Sequence, residues 1–194
     1  LNASGAIKVN DKMQTSVADI YAAGDCAETY HLIYGRNIHM PLALTANKQG
    51  RVAGGNIAGD SISFAGVIGT AVFKVFDLEV GRTGLTEIDA NNEGINCITS
   101  VIEHSSRAHY YPGATKVTIK LTADKINGRL LGAQATGGEG VALRINVLAT
   151  AITAKMTVAD LAEIDMGYAP PFNPVYDPVI IAAEELRKNM ENTR

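Results

Sequence analysis

The sequence predicts an α+β protein: an antiparallel sheet backed by helices, preceded by a short α/β unit. Three observations predict it. "KVTIKLT" (116–122) alternates Val117, Ile119 and Leu121 with Lys116, Thr118, Lys120 and Thr122, and after Asn127-Gly128 the run "RLLGAQATG" returns as its hairpin partner. "GVALRINVLATAITAKM" (140–156) sets Val141, Ile145, Leu148 and Ile152 along one helical stripe. The apolar run in "DIYAAGD" (19–25) breaks at Gly24-Asp25 and is followed by the helical "PLALTANKQGRVAGGNIAG" (41–59).

In chain order, "GAIKVN" (5–10) reads as a short strand and "DIYAAGD" as a second, made of small side chains. Gly24 ends it with a backbone free to turn. Asp25 then either caps the next segment or holds a ligand at the carboxyl end of a sheet. In the helix after it, Pro41 suits the first turn, and Ala43, Ala46, Ala53 and Gly54 allow close packing. Two short strands and one helix bury too little to stand alone, so residues 1–66 are expected to complete a larger domain. The pattern changes near residue 68, and residues 67–194 form the second domain. There "TAVFKVFDLEVGRTG" (70–84) gives two short apolar runs and "INCITSVIEH" (95–104) another strand. Thr157 and Asp160 cap a short helix, "VADLAEI", and "DPVIIAAEELRKNM" (177–190) closes the chain as a helix with Pro178 near its start.

Composition excludes several classes. Of 194 residues, 46% are hydrophobic and 19% charged, which is ordinary for a globular protein. A net charge of -3 offers no basic field for nucleic acid. No apolar run approaches the ~20 residues a membrane helix needs, so no membrane partner is expected. Cys26 and Cys97 form no C-x-x-C pair and read as buried hydrophobes in a reducing, cytoplasmic setting. The four histidines have no ligand spacing, so no metal is expected. "GGEG" (137–140) reads as a hairpin-to-helix connection, because Glu139 would repel a phosphate.

"TSVADIYAAGDCAE" (15–28) followed by "LALTANKQGRVAGGNI" (42–57) resembles the second FAD-binding segment of the pyridine nucleotide-disulfide oxidoreductases. The resemblance implies that Asp25 hydrogen-bonds the ribityl chain of FAD, beside a turn at Gly24. It also implies that the backbone at Leu42, Ala43 and Leu44 approaches the flavin's pyrimidine edge. The physics suits both roles: a carboxylate accepts from sugar hydroxyls, and a helix N-terminus favours negative charge. The second half resembles the dimerisation domain of the same family. The fold implied is that domain preceded by a remnant of an α/β FAD-binding domain.

"RAHYYPGA" (107–114) and "GYAPPFNPVYDPV" (167–179) resemble the branch of coenzyme A-disulfide reductases, persulfide reductases and NADH oxidases. That branch works through a single redox cysteine, with tyrosines from a partner's dimerisation domain reaching into the site. No His-Pro segment follows His104 or His109, which fits that branch rather than a dithiol enzyme. By resemblance Tyr110 and Tyr111 are the catalytic candidates, Tyr111 preferred, as donors to a departing thiolate or a sulfur oxygen. Tyr168 is expected near a neighbouring subunit's flavin, Arg107 at coenzyme A phosphates and Asn47 at the substrate. Tyr176 departs from the lysine that coenzyme A reductases carry there. The stripe of helix 141–156 and the "YAPPF" loop are expected to form the two-fold interface of a homodimer.

The chain opens without Met and within a strand-like pattern. The expectation is a C-terminal fragment of an FAD- and NAD(P)H-dependent enzyme that reduces coenzyme A disulfide, persulfide or oxygen. Its first FAD fingerprint, redox cysteine and NAD(P)H domain would lie upstream, leaving the fragment inactive alone. The alternative is a stand-alone dimerisation or binding module without redox activity.

Overall fold

A computed structural model describes residues 1–193, which divide into two units at Gly69/Thr70. In the first, Val9, Met13, Ala27, Ala53 and Phe64 form a small core, with Tyr21, Ala22, Ala23 and Val52 packed against it. Helix α1 (Ala43–Ile57) turns Thr45, Gln49 and Ala53 inward, one every four residues. Pro41 lies outside the helix rather than in its first turn, because Leu42, extended at φ -140° and ψ 134°, is the N-cap. The two predicted early strands are realised as single bridges, Ile7 with Ala27 in parallel and Gln14 with Tyr21 antiparallel. Each run meets its partner at one residue only, too little to build a ladder. A short hairpin absent from the sequence reading joins β1 (Thr29–His31) to β2 (Arg36–Ile38).

The second unit is a five-stranded antiparallel sheet in the order β3-β4-β7-β6-β5. Its strands are β3 (Ala71–Val75), β4 (Leu78–Gly84), β5 (Cys97–Ser105), β6 (Lys116–Asp124) and β7 (Leu130–Gly137). The alternation along β6 is realised: Val117, Ile119 and Leu121 are 0% exposed. Thr122 departs from it and is buried, where the β6–β7 register shifts between Thr122 and Ala123. Gly84 and Gly132 face each other across β4 and β7. A Cβ on Gly132 would come within 1.8 Å of the Leu85 carbonyl oxygen, so only glycine allows this approach.

Helices cover one face of the sheet. Helix α3 (Val141–Thr153) packs on β4 and β7, and α5 (Pro178–Glu191) on β5 and β6, with α4 (Val158–Ala162) against α5. The predicted stripe of α3 is there, with Val141, Ile145, Leu148 and Ile152 all at 2% exposure or less. Its destination differs from the expectation: these side chains are spent on the chain's own sheet and are not available to a second copy. Thr157 and Asp160 form the predicted capping box, and Asp177 caps α5 with Pro178 in its first turn. A second box, Thr86 with Asp89, opens α2 (Glu87–Asn92), which the sequence reading passed over.

Candidate functional site

In the first unit the break at Gly24 is real. Its φ of +88° is a left-handed angle that suits glycine, and its N–H donates to Gln49 Oε1 at 2.9 Å. Gln49, fully buried on α1, also donates from Nε2 to the Glu28 carbonyl at 3.0 Å. One side chain therefore fixes the turn against the helix. Asp25 stands exposed beside this turn, its backbone carbonyl accepting from His39 Nε2 at 2.8 Å. It does not cap α1, whose N-terminus at Leu42, Ala43 and Leu44 has no side-chain cap. Leu44 is 68% exposed and Asn47 is exposed one turn further on. Cys26 is exposed, contrary to the expected burial: it sits in the turn after Gly24, where Ala27 N–H bonds the Gly24 carbonyl.

In the second unit the two loops singled out in the sequence meet. Residues from both line an open cavity of about 720 Å³, among them His104, His109, Tyr110, Tyr168, Tyr176 and Lys188. The neighbouring Tyr110 side chain, and after it partial burial, raise the Tyr168 pKa above the usual phenol value. His109 meets the Tyr110 ring edge-on, centroids 5.5 Å apart. Tyr111 does not line this cavity. It lies under the Arg107 guanidinium, 5.7 Å from ring centroid to Cζ. His104 and His109 were passed over for want of a His-Pro segment. The available signal was β5 itself, where His104 pairs with the fully buried Val117 and so shares the helix-covered face.

Arg107 turns inward. Its Nε and Nη2 donate to the two carboxylate oxygens of Glu139, and Nη1 reaches the Pro112 carbonyl at 3.4 Å. The Arg107 bonds hold the Glu139 carboxyl below its ordinary pKa against the opposing effect of burial, aided by the Ser106 hydroxyl at 2.7 Å. Arg107 is thereby a brace for the tyrosine loop, and Glu139 of "GGEG" is its anchor. Cys97, half-buried at the start of β5, has its thiol pKa pushed up by burial and then by Glu87, which disfavours a reactive thiolate. Among the described residues no cluster of ligating side chains could hold a metal, and no helix is long and apolar enough to cross a membrane.

Comparison with known proteins converges on one family. The profile described as "Pyridine nucleotide-disulphide oxidoreductase, dimerisation domain" matches residues 70–178, and that of "Pyridine nucleotide-disulphide oxidoreductase" matches residues 1–50. An NAD(P)H sulfur oxidoreductase (CoA-dependent) of Pyrococcus furiosus is 50% identical over 184 residues, 95% of this chain and 41% of that protein. An NADH oxidase of Methanocaldococcus jannaschii is 42% identical over 96% of this chain and 42% of its own length. The solved structure of an NAD-dependent persulfide reductase from A. fulgidus superposes with a TM-score of 0.94 at 45% identity, over 99% of this chain and 36% of that one. The chain thus spans about two fifths of the length of these curated relatives.

Proposed function

The chain belongs to the pyridine nucleotide-disulphide oxidoreductases, and on that premise we propose that it forms the end of the FAD-binding domain and the dimerisation domain of a longer NAD(P)H-dependent flavoenzyme. The substrate class is coenzyme A disulfide, persulfide or polysulfide, with oxygen as a competing acceptor. On this reading the redox cysteine lies upstream of residue 1; burial raises the Cys97 thiol pKa, which disfavours that side chain for the role. The 194-residue chain alone is then inactive, and two copies pair through the second unit.

The first unit's residues fit a flavin. Gly24 brings backbone to the surface, Asp25 offers an exposed carboxylate to the ribityl hydroxyls, and the uncapped start of α1 at Leu42, Ala43 and Leu44 offers N–H groups to the pyrimidine edge. Bound there, the flavin supplies the two-electron relay from nicotinamide to sulfur.

One observation carries the substrate reading: Tyr110 and Tyr168, from the two loops, line one cavity together with His104 and His109. Tyr110 is 66% exposed, and its phenol offers an incoming ligand a hydrogen-bond donor. When a sulfur–sulfur bond breaks, the departing thiolate gains charge and accepts this hydrogen bond. Tyr110 thereby stabilises the leaving sulfur as a hydrogen-bond donor.

The test uses the full-length gene product containing this chain, with NAD(P)H consumption followed against coenzyme A disulfide, a persulfide and oxygen. Losing a hydrogen bond to a charged group is worth roughly 1.5–3 kcal/mol, so Tyr110→Phe should lower kcat/KM for the sulfur acceptors by about 10- to 100-fold. Flavin reduction by NAD(P)H should be unchanged. Equal rates with every acceptor would remove Tyr110 from the chemistry.

A further inference from the structure

One buried cation ties together both tyrosine loops. Arg144, on the inner side of α3, is 5% exposed and Asp177 4% exposed. Arg144 Nε donates to both Asp177 carboxylate oxygens at 3.1 Å, and Nη2 donates to Oδ2 at 2.9 Å. The same Nη2 donates to the Ser106 carbonyl at 2.8 Å, and Nη1 to the Gly140 carbonyl at 3.3 Å. Asp177 in turn accepts from Val179 N–H at 2.9 Å as the cap of α5.

Each partner stands at the root of a loop. Ser106 immediately precedes the segment carrying Tyr110, and its hydroxyl also accepts from Thr115 N–H at 3.0 Å, closing that loop's neck. Asp177 ends the segment carrying Tyr168 and Tyr176, which Asn173 stiffens from within by donating to the Gly167 carbonyl at 2.7 Å. Between the loops runs one backbone bond, Ala108 N–H to the Pro170 carbonyl at 3.3 Å. Beyond it Tyr110 and Tyr168 line the same cavity.

A buried ion pair is a weak device for stability, since apolar residues of similar volume often serve as well. Its merit here is directional. A guanidinium fork has fixed geometry, so it fixes the spacing of whatever its hydrogens reach. We propose that the Arg144–Asp177 pair is a positioning element that sets the separation of the loops bearing Tyr110 and Tyr168, and with it the shape of the cavity between them. This rests on the reading that the cavity takes the sulfur substrate.

The experiment compares the 194-residue chain with Arg144→Met/Asp177→Asn, which removes both charges while Asn keeps a helix cap at α5. Amide hydrogen exchange reports the spacing through Ala108, and the sheet through Ile119, whose side chain is fully buried on β6. The expected result is an exchange protection at Ala108 lower by about 10-fold or more with Ile119 within about 2-fold of wild type. An unchanged Ala108 overturns the proposal. So does an equal loss at both amides, which makes the pair a general stabiliser. Should the double variant not fold, Arg144→Lys takes its place: it keeps the charge but cannot hold the carboxylate fork and the Ser106 carbonyl together. In the full-length gene product, kcat/KM of Tyr110→Phe with coenzyme A disulfide separates the two ideas. A value equal to wild type there counts against the substrate reading and leaves the exchange result standing.

Discussion

The stripe of α3 gives a prediction that can be worked out in numbers. Ile145 is 0% exposed and packs over Gly81 of β4, where a Cβ would fall 2.6 Å from Ile145 Cγ1 and 3.1 Å from Val72 Cγ1. Gly81 has no left-handed backbone angle, so alanine is excluded there by packing alone. Gly81→Ala should therefore cost about 1–3 kcal/mol as overpacking. Ile145→Ala deletes the three carbons beyond Cβ at about 0.8 kcal/mol each, and with the cavity it leaves should cost roughly 3–4 kcal/mol. In the double variant the new methyl enters the space the isoleucine vacated, and the nearest Ile145 atom becomes Cβ at 3.4 Å. The two losses should then fall short of adding by about 1 kcal/mol or more. The assay is urea unfolding of the second unit by far-UV circular dichroism, at two protein concentrations a hundredfold apart. Additive losses would refute the contact. An Ile145→Ala loss that grew as protein was diluted would place the stripe between two copies after all.

Two further predictions concern the Arg107–Glu139 pair and the cap of α4. Because the Glu139 pKa is depressed in the folded chain, the stability it contributes is present above the ordinary carboxylate pKa, near 4.3, and is lost as pH falls through the depressed value. Glu139→Gln should therefore be less stable than wild type at neutral pH, with the gap closing on acidification; a gap independent of pH in urea midpoints would discount the Arg107 pairing. Thr157→Ala removes the capping box of α4, at Thr157 Oγ1 and Asp160 N–H 3.2 Å apart. It should cost about 1 kcal/mol, and thermal melts of the two proteins would check it.

Much of the fold was legible because its causes are local. Lys116 to Thr122 alternates with a period of two and forms a central strand; Val141, Ile145, Leu148 and Ile152 recur with the helical period and form one buried stripe. The box at Thr157 and Asp160 was readable for the same reason, and "TEID" at 86–89 carried the same grammar unnoticed. The runs around Ile7 and Tyr21 were harder, because strand-like composition does not supply the neighbour that a ladder requires.

The site divides along the same line. By itself the sequence determined the glycine turn at Gly24, the helix starting beside Leu42 and the two tyrosine-bearing segments, since each depends on residues a few positions apart. Only the tertiary structure decided that Tyr110 and Tyr168 share one cavity while Tyr111 lies under Arg107. It alone joined Arg107 to Glu139 and Arg144 to Asp177, pairs separated by 32 and 33 residues. It also turned the α3 stripe onto the chain's own sheet. Periodicity reveals that a face must be buried, but the partner that buries it is chosen by chain segments far away, brought close only when the sheet and its helices close on one another.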